Sequence, residues 1–146
     1  MLLSNKLAAQ VFRKHGASAC TDVTGFGLAG HLFEMLDPNR VEAELDLASL
    51  PALDGSLDLL SAGVHSSLQP SNLRVAKGIH NHEGFGSDPR FQLLFDPQTS
   101  GGLLAALPEA DAKDCLEDLI KAGHSGAAII GRVIKIGASD SAIILK

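Results

Sequence analysis

Between positions 41 and 47 apolar and acidic side chains alternate without a break. Val41, Ala43, Leu45 and Leu47 fall on one side, and Glu42, Glu44 and Asp46 on the other. That period of two predicts a half-solvated strand. A helical period governs residues 5–15, where Leu7, Ala8, Val11 and Phe12 line one face, with Ser4 placed to cap the helix and Gly16 to stop it. The small, apolar stretch from Ala17 to Val23 reads as a buried strand running into a turn at Thr24-Gly25. A second helix is expected over Leu28 to Leu36, ended by Asp37-Pro38.

Farther along, Pro51 to Gly63 predicts a helix starting near Asp54. Gln69, Pro70, Ser71 and Asn72 lead into another, capped by Ser71, with Leu73, Ala76 and Ile79 inward and Lys77 on its solvated face. His80 to Asp88 is polar and glycine-rich, and an exposed loop is expected there. Phe91 to Phe95 and Leu103 to Leu107 are strand candidates. Pro108 opens an amphipathic helix with Ala110, Cys115, Leu116, Leu119 and Ile120 inward, ending at Gly123. Ala127 to Ile136 and Ala142 to Leu145 are expected to form a closing hairpin. This order predicts an α/β fold in which helices are layered on a single mixed sheet.

Composition narrows the class. The 146 residues, 45% hydrophobic and 20% charged, suit one globular domain over 1–146 with a sizeable core. A net charge of -5 with scattered Lys and Arg argues against a nucleic-acid backbone as partner, and six Phe with no Trp or Tyr offer few stacking platforms. No apolar run approaches the roughly 18 residues of a membrane helix, and the amino terminus carries early charges without a cleavage pattern, so neither membrane nor secretion is indicated. Cys20 and Cys115 form no CxxC motif. A reducing compartment, the cytoplasm, is expected, with both thiols buried and inert.

Candidate chemistry concentrates in Thr21-Asp22-Val23-Thr24-Gly25-Phe26-Gly27-Leu28-Ala29-Gly30-His31, a strand end, a glycine turn and a helix start. Gly25, Gly27 and Gly30 satisfy GxGxxG, a spacing that lets backbone approach a phosphate. A dinucleotide reading wants an acid about 20 residues on, for which Glu44 or Asp46 is available. Asp22 beside the turn would repel a pyrophosphate unless a cation intervened, and it suits Mg²⁺ bridging to nucleotide phosphates. The alternative is a turn kept for tight strand-to-helix contact. His31 is open to either use, orienting a phosphate or filling a sheet edge. Asp96-Pro97-Gln98-Thr99-Ser100-Gly101-Gly102 reads as an anion nest, or as a turn held by Asp96 and Thr99 with its glycines at positive φ. His80 and His82 lack the neighbours for a coordination set.

The segments from Ala19 to Leu32 and from Leu93 to Leu104 together resemble the two signature stretches of the carboxy-terminal half of selenophosphate synthetases, the selenide, water dikinases of the aminoimidazole ribonucleotide synthetase superfamily. Glu44 to Leu47, Leu50-Pro51, Ala62 to Val64, Ser71-Asn72 and Ala127 to Val133 extend the likeness over nearly the whole chain. The resemblance implies an enzyme that makes selenophosphate from selenide, ATP and water, releasing AMP and phosphate. It implies that Asp22 is a Mg²⁺ ligand, with Thr21, Thr24, Gly25 and Gly27 around the ATP site and no catalytic residue in this chain. The reactive Cys or selenocysteine, its Lys partner, the other metal-ligating Asp residues and the homodimer contact are implied to lie in an amino-terminal domain that this sequence does not contain. Asp22 alone is then expected to bind Mg²⁺ or ATP poorly. The competing readings are an autonomous, non-catalytic binding module, or a domain of a purine-pathway synthetase or thiamin monophosphate kinase.

Overall fold

The computed structural model describes residues 4–36, 41–135 and 142–146. Helices α1 (Asn5–Lys14), α2 (Gly27–Leu36), α3 (Ser56–Ser61), α4 (Gln69–Asn72), α5 (Pro89–Leu93) and α6 (Ala112–Lys121) alternate with strands β1 (Ala19–Asp22), β2 (Val41–Leu45), β3 (Ile79–His80), β4 (Leu103–Ala106), β5 (Gly131–Lys135) and β6 (Ile143–Leu145). The α/β class expected from the sequence holds.

The expected single sheet is divided. Four strands form a mixed sheet in the order β3-β6-β2-β5, while β1 and β4 pair antiparallel as a separate ribbon. In the larger sheet β6 runs parallel to both β2 and β3, and β5 runs antiparallel to β2. The predicted hairpin of the last two strands is therefore corrected, because β5 and β6 flank β2 on opposite sides and do not pair with each other. Within the first of its segments the strand begins only at Gly131, and Ile136 lies outside the described residues, as does the Asp37-Pro38 helix stop. Register between β2 and β5 sets Glu44 opposite Arg132, and their side chains meet at 2.6 Å. That cross-strand ion pair opposes slippage of the edge strand.

The main core joins Leu32 and Leu36 of α2, Ala43 and Leu45 of β2, Ile143 and Leu145 of β6, and the trio Phe91, Leu94 and Phe95. Full burial of each Leu, Ile or Phe stabilises by about 1.5–3 kcal/mol. Glu42 is only 3% exposed, not solvated as the alternation predicts, since β2 is an interior strand covered on both faces at that point. The strand predicted over Phe91 to Phe95 is a helix instead. Asp88 caps it by accepting from the Arg90 N–H at 2.8 Å, Pro89 occupies its first turn, and Phe91 and Phe95 stack edge to face with centroids 5.0 Å apart. Ser71 is likewise no cap. It lies inside α4, after which Leu73–Gly78 tightens to a 3-10 helix and Ile79 enters β3. The His80 to Asp88 segment holds a strand end and a 3-10 turn over His82–Phe85.

A second, smaller core lies between α1 and α6, where Ala8, Cys115 and Leu119 are buried against Val11, Phe12 and Leu103. Ser4 caps α1 as expected, accepting from the Lys6 N–H at 3.2 Å, and Gly16 ends it at a φ of 70°. Asp118 ties the two helices together, at 2.6 Å from Lys14 Nζ and 3.0 Å from His15 Nε2. Hydrogen bonds from Lys14 and then His15 lower its carboxyl from the ordinary 3.8 to about 2. A depressed carboxylate stabilises the fold fully above its unfolded pKa, and the contribution disappears as pH falls through the folded value. The melting temperature is therefore expected to drop between pH 4 and 2 with a component that Asp118→Asn lacks. Identical acid profiles for the two proteins, measured by circular dichroism, would overturn this assignment.

Candidate functional site

The two segments singled out in the sequence fold against each other. Antiparallel pairing of β1 with β4 sets Asp22 opposite Leu103, and the ladder continues one step further through the Val23 N–H, which donates to the Gly102 carbonyl at 3.0 Å. The Thr24 carbonyl then accepts from both the Gly27 N–H at 3.1 Å and the Gln98 N–H at 3.0 Å. Farther round the turn, the Ala29 N–H of α2 donates to the Leu94 carbonyl at 2.9 Å. Two side chains clip this junction from outside. Asn72 Nδ2 donates to the carbonyls of Gly25 at 2.8 Å and Phe95 at 3.0 Å, and Asn5 Nδ2 donates to Gly101 at 3.1 Å. These long-range clips escape a sequence reading, because Asn72 stands 47 residues from Gly25 and no local pattern marks the pairing.

The glycines have separate reasons. Gly27 holds a φ of 71°, and a Cβ there would come within 2.8 Å of the Leu94 carbonyl oxygen. Its N–H and that of Ala29 are already taken by protein carbonyls, so close contact with the second segment, not a free amide row, accounts for this residue. Gly30 makes room for Phe26, whose Cβ a side chain at position 30 would meet at 2.7 Å. At Gly25 a Cβ would meet nothing within 4 Å, so the turn is open there. Gly101 and Gly102 do not adopt the positive φ that the turn reading of this loop requires. Gly101 is needed because a Cβ would fall 2.1 Å from the Val23 carbonyl oxygen, where the two backbones cross.

Asp22 ends β1 with its side chain exposed and, among the described residues, without a hydrogen bond or ion pair. An exposed, unengaged carboxylate is a suitable hard-oxygen donor for Mg²⁺. It fits one position of such a shell and no more, since among the described residues no group of three or more His, Cys, Asp or Glu stands together to hold a metal. Thr21 is half-buried on the same strand, its hydroxyl donating to the Asp22 carbonyl at 3.3 Å. Cys20 is exposed, not buried as expected, because the β1–β4 ribbon leaves alternate positions of β1 in solvent. Partial burial of the thiol, and then the negative charge of Asp22, push its pKa up, which disfavours a thiolate. Cys115 is buried as expected.

His31 is 6% exposed and bridges two side chains, Thr24 Oγ1 and Glu34 Oε2, each at 3.0 Å. Glu34 is a neighbour the sequence reading missed, though its i+3 position on a helix was a usable signal. Two open surface hollows lie elsewhere. One of about 310 Å³ lies between α3 and α5, another of about 300 Å³ beside Glu44 and Arg132, and neither is lined by residues 21–27 or 96–102. No helix among the described residues is long and apolar enough to cross a membrane.

Residues 1–142 match the family model described as AIR synthase related protein, C-terminal domain. The chain is similar to a selenide, water dikinase of Caldanaerobacter subterraneus subsp. tengcongensis, with 39% identity over 132 residues, covering 88% of this chain and 37% of that protein. A selenide, water dikinase of Clostridioides difficile is 35% identical over 141 residues, covering 94% and 39% respectively. One from Clostridium botulinum (strain Eklund 17B / Type B) is 38% identical over 142 residues, covering 97% and 40%. The chain thus spans about two fifths of the length of these relatives.

Proposed function

This chain belongs to the AIR synthase related protein, C-terminal domain family, and we propose that it serves as the part of a selenide, water dikinase that closes a Mg²⁺-ATP site from one side. The whole enzyme would make selenophosphate from selenide, ATP and water, with AMP and phosphate as products. The observation that carries this reading is the junction of the two signature segments, which presents an unpaired Asp22 carboxylate at a strand end beside an open glycine turn.

In this reading Asp22 occupies one position in the coordination shell. When bound, Mg²⁺ supplies charge neutralisation between that carboxylate and the nucleotide phosphates. Thr21 and Thr24 line the approach with hydroxyls, Gly25 leaves space for a ligand, and Gly27 keeps the turn seated on the second segment. No general acid, base or nucleophile is assigned to this chain. Its partner is the remainder of the same enzyme, which carries the reactive Cys or selenocysteine, its Lys partner and the dimer contact, and the compartment is the cytoplasm. A non-catalytic module, or a domain of a purine-pathway synthetase or thiamin monophosphate kinase, is not favoured, since the relatives named above are selenide, water dikinases.

Complementation tests the reading. The remainder of the enzyme and this chain, made separately and mixed, are expected to give selenide-dependent AMP formation that neither gives alone. Absence of any gain on mixing, with both parts folded, would refute it. Micromolar Mg²⁺-ATP binding by this chain alone would refute the claim that its site needs a second part.

A further inference from the structure

Thr24, His31 and Glu34 form a hydrogen-bonded line from the turn to solvent. Thr24 Oγ1 lies 3.0 Å from His31 Nε2, and His31 Nδ1 lies 3.0 Å from Glu34 Oε2. The imidazole is buried, with 8% of its side chain exposed, whereas 59% of the Glu34 side chain is in solvent. The Phe26 ring leans on the imidazole at 5.7 Å and 49°, a position that Gly30 permits by having no Cβ. The backbone of Thr24 is fixed as well, through the two N–H groups its carbonyl accepts. Hydroxyl and ring thus have little freedom to exchange partners, while the carboxylate meets the ring from the solvent side.

Elementary donor and acceptor rules then set the direction of each bond. An ionised carboxylate only accepts, so the ring proton resides on Nδ1. In a neutral imidazole so arranged Nε2 only accepts, and the hydroxyl proton of Thr24 is committed to it. What Thr24 Oγ1 has left is lone pairs. Such an oxygen repels a phosphate oxygen and suits a cation or the hydrogen of a cation-bound water.

We propose that His31 and Glu34 are positioning residues that make Thr24 Oγ1, two residues along the chain from Asp22, an acceptor that takes a hydrated divalent cation and not a phosphate oxygen. This rests on the reading of Asp22 as a metal ligand. It assigns Thr24 a different partner from Thr21, whose hydroxyl proton is given to the Asp22 carbonyl at 3.3 Å.

Two measurements test it. In the isolated chain, nitrogen NMR of the His31 ring is expected to show Nδ1 protonated and Nε2 bare, with Glu34→Gln mixing the tautomers. A proton on Nε2 in the unsubstituted chain overturns the proposal. In the intact enzyme, Glu34→Gln and Thr24→Val are expected to raise the Mg²⁺ concentration for half-maximal AMP formation about tenfold or more, the range for outer partners of metal ligands, with KM for ATP at saturating Mg²⁺ little changed. Thr24→Ser is expected to restore the original requirement. An unmoved Mg²⁺ requirement in Glu34→Gln and Thr24→Val, in an enzyme that Asp22→Ala inactivates, overturns this proposal and leaves the reading of Asp22 intact. Full activity in Asp22→Ala overturns both. A raised KM for ATP with an unmoved Mg²⁺ requirement shows a phosphate contact and also overturns it.

Discussion

Gly101→Ala is expected to lower the melting temperature of the chain by about 6–12 °C, a large effect for the addition of one methyl group. The new Cβ would sit 2.1 Å from the Val23 carbonyl oxygen, 3.1 Å from its carbon and 3.1 Å from the Gln98 Cβ. The nearest of these is backbone, held in place by the Val23 to Gly102 hydrogen bond, so no side chain can swing aside to relieve the overlap. An overlap this deep with backbone belongs at the upper end of overpacking costs, about 3 kcal/mol, and in a domain of this size each kcal/mol moves the midpoint by about 2–4 °C. Gly102 supplies the control. A Cβ there meets nothing within 4 Å, and Gly102→Ala is expected to stay within about 0.5 kcal/mol of the parent. Thermal denaturation followed by circular dichroism compares the two, and equal midpoints would show that the backbones do not cross as described.

Asp22→Ala is expected to reverse that pattern, leaving stability alone and removing activity. The carboxylate is exposed and makes no hydrogen bond or ion pair among the described residues, so its loss is expected to change stability by less than about 0.5 kcal/mol. In the role proposed for Asp22, losing a metal ligand from the intact enzyme would remove several kcal/mol of charge stabilisation, and about 3 kcal/mol corresponds to a rate loss on the order of 10²-fold. Asp22→Asn separates shape from charge, and it is expected to behave like the alanine variant. Selenide-dependent AMP formation at saturating substrate, measured beside the melting midpoint, decides the matter. A loss of activity that tracked a loss of stability would make Asp22 a structural residue.

Much of the fold was legible because its signals are local. The α1 cap at Ser4, its stop at Gly16 and the alternation that became β2 all depend on residues within a few positions of one another. Phe91 to Phe95 went wrong where two local signals competed. Five residues with four apolar side chains fit a short strand, but Phe91, Leu94 and Phe95 at i, i+3 and i+4 behind Asp88-Pro89 fit a capped helix, and the cap decides. Pairing between strands was not legible. Nothing near Ile143 says that it belongs beside both Ala43 and Ile79, nor near Leu103 that it faces Asp22. The site shows the same division. Its glycines and Asp22 stood out as a pattern, whereas the reasons for Gly27 and Gly101 lie in the backbone of the other segment.

The strand order has a consequence for how the chain can be made. Among the described residues β6 is the last strand in the chain, yet it lies between β2 and β3, pairing Ala43 with Ile143 across a separation of a hundred positions. Until it arrives, β2 and β3 share no ladder, and the inward faces of Leu45 and Ile79 wait uncovered on that side. In chain order the helical pair α1 and α6 and the β1–β4 ribbon have all their members ahead of β6, whereas the larger sheet needs β6 to close. The nascent domain must keep an apolar seam from unwanted partners for most of its time in translation.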